Sequence, residues 1–170
     1  MNGESLLVRR MREGDLDEVM AVERDSFSSP WNMDMYRREI GKEEGCYLVA
    51  RMGEELAGYC GALLILDEAH VMTLAVRRDL RRRGIAARLL LELIARVEVM
   101  GARFLTLEVR VSNRPAIELY TSFGFQIMGE RKNYYLDNLE NAYIMWTEDI
   151  TSPSYREKLR ALRRRYAHAF

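Results

Sequence analysis

The stretch "RRRGIAARLL", residues 81–90, decides how this chain is interpreted. Three arginines precede Gly84, and a helical pattern of apolar residues begins directly after it. Glycine lets a ligand approach the backbone closely, and the first amides of a helix have no partner within the helix. The combination is typical of a site where backbone N–H groups hold a phosphate. A solvated basic turn is the alternative interpretation, because short glycine motifs are often accidental.

The segments around this stretch alternate between strand-like and helix-like patterns. An antiparallel meander is predicted before it by three β-rich segments: "CYLVARM", "ELAGYCGALLIL" and "AHVMTLAV". After the helix, the nearly continuous apolar run "FLTLEVRV" indicates a strand in the centre of a sheet. Two closing strands are predicted by "FQIMGERKNYY" and "AYIMWTEDI". We therefore expect an α/β fold with a mixed, mostly antiparallel sheet flanked by helices.

Local signals predict where two helices near the N-terminus begin. Asp15, with Glu18 three residues later, has the spacing of a capping box. Pro30 suits the first position of a helix formed by "WNMDMYRREI". Both predictions use only contacts between residues that are close in sequence.

Composition excludes several classes of protein. The 170 residues suit one domain, and 26 Lys and Arg against 26 Asp and Glu argue against a polycation that binds nucleic acid. Cys46 and Cys60 lack the spacing of a zinc cluster or a disulfide framework, so no metal is expected. "MNGESLLVRR" lacks the apolar core of a signal peptide, and "AGYCGALLIL" is too short to cross a bilayer. The expectation is a cytoplasmic protein without membrane association.

The last twenty residues differ from the rest. Residues 1–150 are predicted to form one domain, and residues 151–170 a basic amphipathic C-terminal helix. This tail carries six Lys or Arg and one Glu, and its apolar residues recur at helical spacing. The pattern favours a helix docked on the body with a solvated basic face. Contact with ribosomal RNA or an acidic partner is the alternative, and the tail is the only part for which nucleic-acid contact is considered.

Longer motifs resemble those of the GNAT acetyltransferases. Arg81, Gly84 and Ala86 match the R/Q-x-x-G-x-G/A signature of that family, between a strand ending "TLAV" and an amphipathic helix. Within the family the chain looks most like the RimI branch, the ribosomal-protein-alanine N-acetyltransferases. The shared features are "SPW" at 29–31, "LEVR-x-SN-x-x-AI-x-LY-x-x-x-GF" at 107–125 and "NYY" at 133–135. The resemblance covers residues 5–150 and implies the GNAT fold, with the sheet splayed at the acetyl-CoA site.

The resemblance implies acetyl-CoA as co-substrate and no metal. By similarity, the backbone of Leu74, Ala75 and Val76 binds the pantetheine arm like an extra strand. The pyrophosphate site comprises the stretch that begins at Arg81, with the backbone amides after it: Arg82, Arg83, Gly84, Ile85, Ala86 and Ala87. Asn113 matches the family asparagine that contacts CoA. It also has the position of an N-cap for the helix that follows.

Two residues carry the chemistry by similarity. The reaction needs a proton acceptor for the attacking amine and a donor for the departing thiolate. Glu108 is implied as the general base, through a water molecule, and Tyr120 as the donor to the CoA sulfur. Without the resemblance, Glu108 would more often be a salt-bridge partner, and Tyr120 a core aromatic residue. Cys46 and Cys60 are expected to be core residues, so no acyl-enzyme is predicted.

The acceptor implied by the branch is a protein α-amine, with a ribosomal-protein alanine as the expected N-terminus. Trp31 and Tyr134, in "SPW" and "NYY", are candidates for gripping a peptide, and His70 is a further candidate for substrate contact. The chain departs from the branch at Leu136, where a proline is usual, and at "ENA", where an acidic pair is usual. Acetylation of a small-molecule amine or lysine side chain is the alternative function. A non-catalytic module that associates with ribosomes or RNA is a second alternative.

Overall fold

A computed structural model describes residues 5–167, which fold into seven strands and five helices. The strands are β1 (Leu6–Arg10), β2 (Gly45–Met52), β3 (Glu55–Ile65), β4 (Glu68–Val76), β5 (Phe104–Arg110), β6 (Gln126–Tyr135) and β7 (Glu140–Trp146). The helices are α1 (Leu16–Ser26), α2 (Met33–Ile40), α3 (Ile85–Val99), α4 (Arg114–Ser122) and α5 (Pro153–Tyr166). Residues 1–4 of the predicted domain and residues 168–170 of the predicted C-terminal helix lie outside the described residues.

All the strands belong to one sheet, in the order β1-β2-β3-β4-β5-β7-β6. Neighbouring strands are antiparallel, except that β4 and β5 are parallel. The predicted mixed sheet, its β2-β3-β4 meander and the central position of β5 are therefore confirmed. The parallel strands are joined by α3, because such a crossover needs a long connection.

The parallel pairing between β4 and β5 is short. It comprises three residue pairs, and the last of them joins His70 and Thr106. Beyond it, β4 continues along β3 as far as Val76, and β5 continues along β7 as far as Arg110. The two central strands therefore diverge, and the sheet opens between them.

Apolar side chains cover both faces of the sheet. Along β2, Cys46, Leu48 and Ala50 belong to one core cluster, which α3 and α5 complete. Tyr47 and Val49 point to the other face, where they pack with α1 and α2. This alternation is the period-2 pattern of a strand buried on both sides. Burial raises the pKa of the Cys46 and Cys60 thiols, and both residues are small core side chains as expected.

The predicted capping box at Asp15 is wrong. Residues Glu13–Asp15 form a 3-10 turn, and α1 begins at Leu16 with no side-chain cap. The Asp15 carboxylate instead binds Arg9 at 2.7 Å. Glu18 accepts a hydrogen bond from the backbone N–H of Leu56, 2.9 Å away on β3. Glu18 thus binds a partner that tertiary packing brings close, which a local signal cannot predict. Asp15 also accepts a hydrogen bond from the backbone N–H of Arg12 at 2.8 Å, at the start of the 3-10 turn.

The predicted start of α2 at Pro30 is also wrong. The helix begins at Met33, and the side chain of Asn32 accepts a hydrogen bond from the N–H of Met35 at 2.9 Å. Asparagine is a strong N-cap residue, so this contact starts the helix three residues after the proline. Pro30 and Trp31 belong to the connection between α1 and α2.

The C-terminal helix is part of the main core. Tyr155, Leu159 and Leu162 are buried in the same cluster as α3. The Tyr155 hydroxyl donates a hydrogen bond to the backbone carbonyl of Phe123 at 2.8 Å. On the exposed side, Arg156 pairs with Glu98 of α3 at 2.7 Å. The basic tail thus forms a helix whose apolar side packs against the body.

Candidate active site

A cleft of about 500 Å³ lies where β4 and β5 diverge. Its walls come from five segments of the chain. They are the end of α1 with the residues after it, the strands β4 and β5, the first turns of α4, and the end of β6: Ser26, Phe27, Ser28, Ser29, Val71, Met72, Thr73, Leu74, Leu107, Glu108, Val109, Arg110, Asn113, Ala116, Tyr120 and Tyr135. The structure therefore brings the predicted residues Leu74, Glu108, Asn113 and Tyr120 into one site.

The alternation of β5 directs Glu108 toward the open face of the sheet. Leu107 and Val109 are buried in the main core, so Glu108 and Arg110 project from the opposite face. Oε1 of Glu108 is 3.6 Å from Nε of Arg131, and the Glu108 side chain is partly exposed. Glu108 therefore has a charged neighbour and also lines the cleft, and its role as general base stays a prediction.

Tyr120 forms a buried part of the cleft wall. Its residue surface is 8% exposed, and its ring packs against Phe125 with 5.5 Å between centroids. Burial raises the pKa of Tyr120 well above that of a free tyrosine. The hydroxyl therefore keeps its proton at neutral pH, which a proton donor requires.

Asn113 is both an N-cap and a cleft residue. Its Oδ1 accepts a hydrogen bond from the N–H of Ala116 at 3.3 Å, and the same residue lines the cleft. The two interpretations of Asn113 are thus compatible, because the first turn of α4 faces the gap between the strands.

The N-terminus of α3 has free backbone donors. Gly84 has φ +83° and Arg82 has φ +60°, so a left-handed turn leads into the helix. The first helical bond runs from the N–H of Arg88 to the carbonyl of Gly84 at 3.0 Å. Within residues 5–167, no side chain caps this helix, whereas polar side chains cap α2, α4 and α5. The amides of Ile85, Ala86 and Ala87 are therefore available to an anion.

The arginines before the helix have different surroundings. Nε of Arg81 donates to the carbonyl of Val76 at 3.0 Å, and its Nη2 is 3.4 Å from Oγ of Ser26. Arg81 therefore ties the turn to the end of β4 and to α1. Arg82 and Arg83 are exposed. The backbone of the turn, rather than the Arg81 side chain, is the part suited to hold a ligand.

The end of β4 has one edge that β5 does not cover. Leu74, Ala75 and Val76 pair with β3 on one side, and the pairing with β5 has already ended at His70. An extended ligand can therefore bind along this edge as a strand would. The edge and the free amides of α3 together fit an elongated molecule with a phosphate group.

The three predicted acceptor contacts are not among the described residues that line the cleft, and neither are Ala75, Val76 and residues 81–87. Trp31 packs against Tyr36 with 5.1 Å between ring centroids, on the α1–α2 side of the sheet. Tyr134 is 44% exposed and contacts the ring of Tyr135. His70 lies where β4 and β5 begin to diverge, with Nε2 3.5 Å from Oε2 of Glu68.

Sequence reasoning missed other cleft residues, and several of them lie inside the motifs. Arg110 is the last letter of "LEVR", Tyr135 is the second tyrosine of "NYY", and Ser29 is the first letter of "SPW". Reading every polar or aromatic position of these motifs as a possible wall residue would have found these three. Phe27 and Ser28 immediately precede "SPW", so no motif position indicates them.

Across residues 5–167, no group of three or more His, Cys, Asp or Glu residues could hold a metal ion. None of the helices in that range is long and apolar enough to cross a membrane.

The diverging strands β4 and β5, the cleft between them and the uncapped N-terminus of α3 are the features that the resemblance to GNAT acetyltransferases implies. The model of the acetyltransferase (GNAT) family matches residues 16–125, and the chain belongs to this family. It is therefore an acetyl-CoA-dependent N-acetyltransferase.

Named relatives of this chain support the resemblance to the RimI branch. A Bacillus subtilis protein, provisionally named a ribosomal protein bS18-alanine N-acetyltransferase, is 42% identical over 82% of this chain and 93% of its own length. The Escherichia coli K12 ribosomal protein bS18-alanine N-acetyltransferase is 35% identical, over 77% of this chain and 89% of its own. A crystal structure of the Escherichia coli ribosomal-protein-S18-alanine N-acetyltransferase superposes with a TM-score of 0.77 at 31% identity. It covers 84% of this chain and 93% of that one.

Proposed function

We propose that this enzyme acetylates the α-amine of a protein N-terminus, and that a ribosomal-protein alanine is its principal acceptor. The observation that carries the proposal is a cleft lined by both Glu108 and Tyr120, in a chain whose relatives are named for this reaction. The two residues supply the proton acceptor and the proton donor that amine attack on a thioester requires.

The chemistry runs by direct transfer. An α-amine with pKa of about 7.7–8.0 is already roughly one-tenth neutral at pH 7, whereas a lysine amine is almost entirely protonated. The neutral nitrogen attacks the thioester carbonyl carbon, and Glu108 takes the amine proton through a water molecule. The carbon–sulfur bond then breaks, and Tyr120 donates its proton to the departing thiolate. The buried Tyr120 hydroxyl is protonated at neutral pH, so it has a proton to donate when the thiolate forms.

Acetyl-CoA would be held mainly by backbone groups. The free amides at the start of α3, from Arg82 to Ala87, suit the pyrophosphate, because a helix N-terminus carries positive potential. The uncovered edge of β4 at Leu74–Val76 suits the pantetheine arm. Asn113 adds a polar group at the cleft wall. The acetyl group supplied in this way is the electrophile, and the protein holds it beside Glu108.

The acceptor would enter from the other side of the cleft. We define the acceptor side as residues 26–29, at the end of α1 and the start of the connection to α2, together with Tyr135 at the end of β6. Phe27 and Tyr135 supply apolar surface, and Ser28 and Ser29 supply polar groups. Trp31 and Tyr134 lie next to these residues in sequence, so they would act on a peptide at the rim.

A peptide panel tests the proposal. The enzyme is incubated with acetyl-CoA and peptides that begin with Ala, Ser, Met or Glu, each with a free or chemically blocked α-amine. We expect acetylation of the free Ala peptide, located by mass spectrometry at the N-terminus, and none of its blocked form. Equal acetylation of blocked, lysine-containing peptides would make the lysine side chain the acceptor. Faster reaction with polyamines or aminoglycosides than with any peptide would favour a small-molecule amine.

A further inference from the structure

Three separate segments meet at the side chain of Arg110, at the end of β5. Nη2 of Arg110 donates to both carboxylate oxygens of Asp137, at 2.9 and 3.0 Å. The same nitrogen is 3.3 Å from the hydroxyl oxygen of Ser28. Asp137 lies in the turn between β6 and β7, and Ser28 lies between α1 and α2. Arg110 therefore contacts both the connection between α1 and α2 and the turn between β6 and β7, and these two connections border the acceptor side.

The two connections also bind each other directly. The Ser28 hydroxyl donates a hydrogen bond to Oδ2 of Asp137 at 2.6 Å, across 109 positions of sequence. Ser28, Arg110 and Asp137 thus form a closed set in which each member contacts the other two. We call these three residues the acceptor clasp.

Further contacts fix the direction of the Arg110 side chain. Its guanidinium carbon lies 3.9 Å from the centroid of the Tyr135 ring, a cation–π contact. Its Nη1 donates to Oδ1 of Asn138 at 3.1 Å, and Asn138 also accepts from the N–H of Glu140 at 3.0 Å. Arg110 therefore shapes the turn between β6 and β7 as well as binding to it, and it packs on a ring that lines the cleft.

The clasp differs from an ordinary surface ion pair. Isolated exposed pairs contribute little, because water screens the charges and long side chains lose freedom. Here the Arg110 and Asp137 side chains are only 26% and 28% exposed, and several hydrogen bonds to charged groups act together. Hydrogen bonds from Ser28 and Arg110 also hold the pKa of Asp137 below its usual value. Asp137 is therefore ionised, and the clasp intact, throughout the neutral range.

We infer that Arg110 is a positioning residue that, through Asp137 and Ser28, holds the two acceptor-side connections together in the shape that binds the acceptor. The inference rests on the proposed function only in assuming that the acceptor enters between these connections. No clasp residue belongs to the free N-terminus of α3 or to the β4 edge. Loss of the clasp should therefore weaken acceptor binding and leave acetyl-CoA binding unchanged.

The kinetic test uses variants that keep side-chain size. Asp137→Asn removes the charge, Ser28→Ala removes the hydroxyl, and the double variant removes both. Hydrogen bonds to a charged group are worth about tenfold in affinity, so the KM for the acceptor peptide should rise about tenfold in Asp137→Asn. The KM of the double variant should rise by less than the product of the two single effects, because Ser28 binds Asp137 and Arg110 within one set of contacts. The KM for acetyl-CoA should stay within about twofold in all three.

A matched control is available at the other end of the same strand. Arg103 precedes β5 and pairs with Asp149, and neither residue lines the cleft. Arg103→Lys disturbs a more exposed ion pair and should leave the KM for the acceptor unchanged. Arg110→Lys keeps the charge but loses the planar guanidinium group, so it should raise the KM for the acceptor as Asp137→Asn does. A merely structural role of Arg110 would instead lower kcat and thermal stability without a selective rise in the KM for the acceptor.

A second readout does not depend on the identity of the acceptor. Asp137→Asn should speed amide hydrogen exchange in residues 27–31, which share no element with Asp137, compared with the wild type and Arg103→Lys. If peptides prove not to be acceptors but this exchange rises, the proposed function fails and the clasp stands. If exchange in residues 27–31 and the KM of the true acceptor are both unchanged, the clasp is overturned whatever that acceptor is.

Discussion

Removing α5 should unfold the enzyme rather than leave a smaller active domain. The truncation after Thr151 deletes Tyr155, Leu159 and Leu162, all of which are buried in the core cluster shared with α3. Burial of one large apolar side chain stabilises a protein by about 1.5–3 kcal/mol, so the three together contribute about 5–9 kcal/mol. The total stability of a domain is about 5–15 kcal/mol. The truncated chain should therefore populate the unfolded state substantially at 25 °C.

A point variant gives a finer measure of the same effect. Leu159→Ala should lower the free energy of unfolding by about 2–5 kcal/mol, because it leaves a cavity between α5 and the body. Urea denaturation, followed by the fluorescence of Trp31 and Trp146, measures the loss. Arg164→Ala, on the exposed side of the same helix, should change stability by no more than about 0.5 kcal/mol. A truncated chain with the denaturation midpoint of the full protein would show that α5 is an accessory and would refute the reasoning.

The remaining predictions concern the reaction itself. Glu108→Gln should lower kcat about 10²–10⁴-fold at pH 7. Part of this loss should be regained near pH 9, where an α-amine deprotonates without help; a loss that is the same at both pH values would argue against Glu108 as the base. Tyr120→Phe should show a similar loss that persists at high pH and shrinks with a thioester whose leaving thiol is more acidic. Gly84→Ala should weaken acetyl-CoA binding, measured by calorimetry, more than Arg81→Ala does. The left-handed φ of Gly84 costs other residues about 1–2 kcal/mol and shapes the turn. Equal affinities of the two variants would contradict a backbone-dominated site.

Local patterns were sufficient to predict most of the fold. The period-2 alternation of the strands and the four-residue spacing of Ile85, Leu89 and Leu93 are both observed, with these three residues fully buried. Such patterns succeed because they record which face of an element is buried, a property of neighbouring residues. The predicted capping box failed because tertiary packing gives Glu18 a partner on β3. The start of α2 was misplaced because a second local signal, the N-cap Asn32, overrides Pro30.

The sequence by itself determined the family, the positions of the strands along the chain and the candidates Glu108, Asn113 and Tyr120, because each lies within a local pattern or motif. Tertiary structure alone decided that Trp31 packs against Tyr36 instead of lining the cleft. It also decided that Ser28 meets Asp137 across 109 positions. The physical reason is the separation along the sequence between the residues that make each contact. A helix or strand pattern is set by contacts within a few residues, whereas the acceptor side forms only when connections from the two ends of the chain are packed against the same strand.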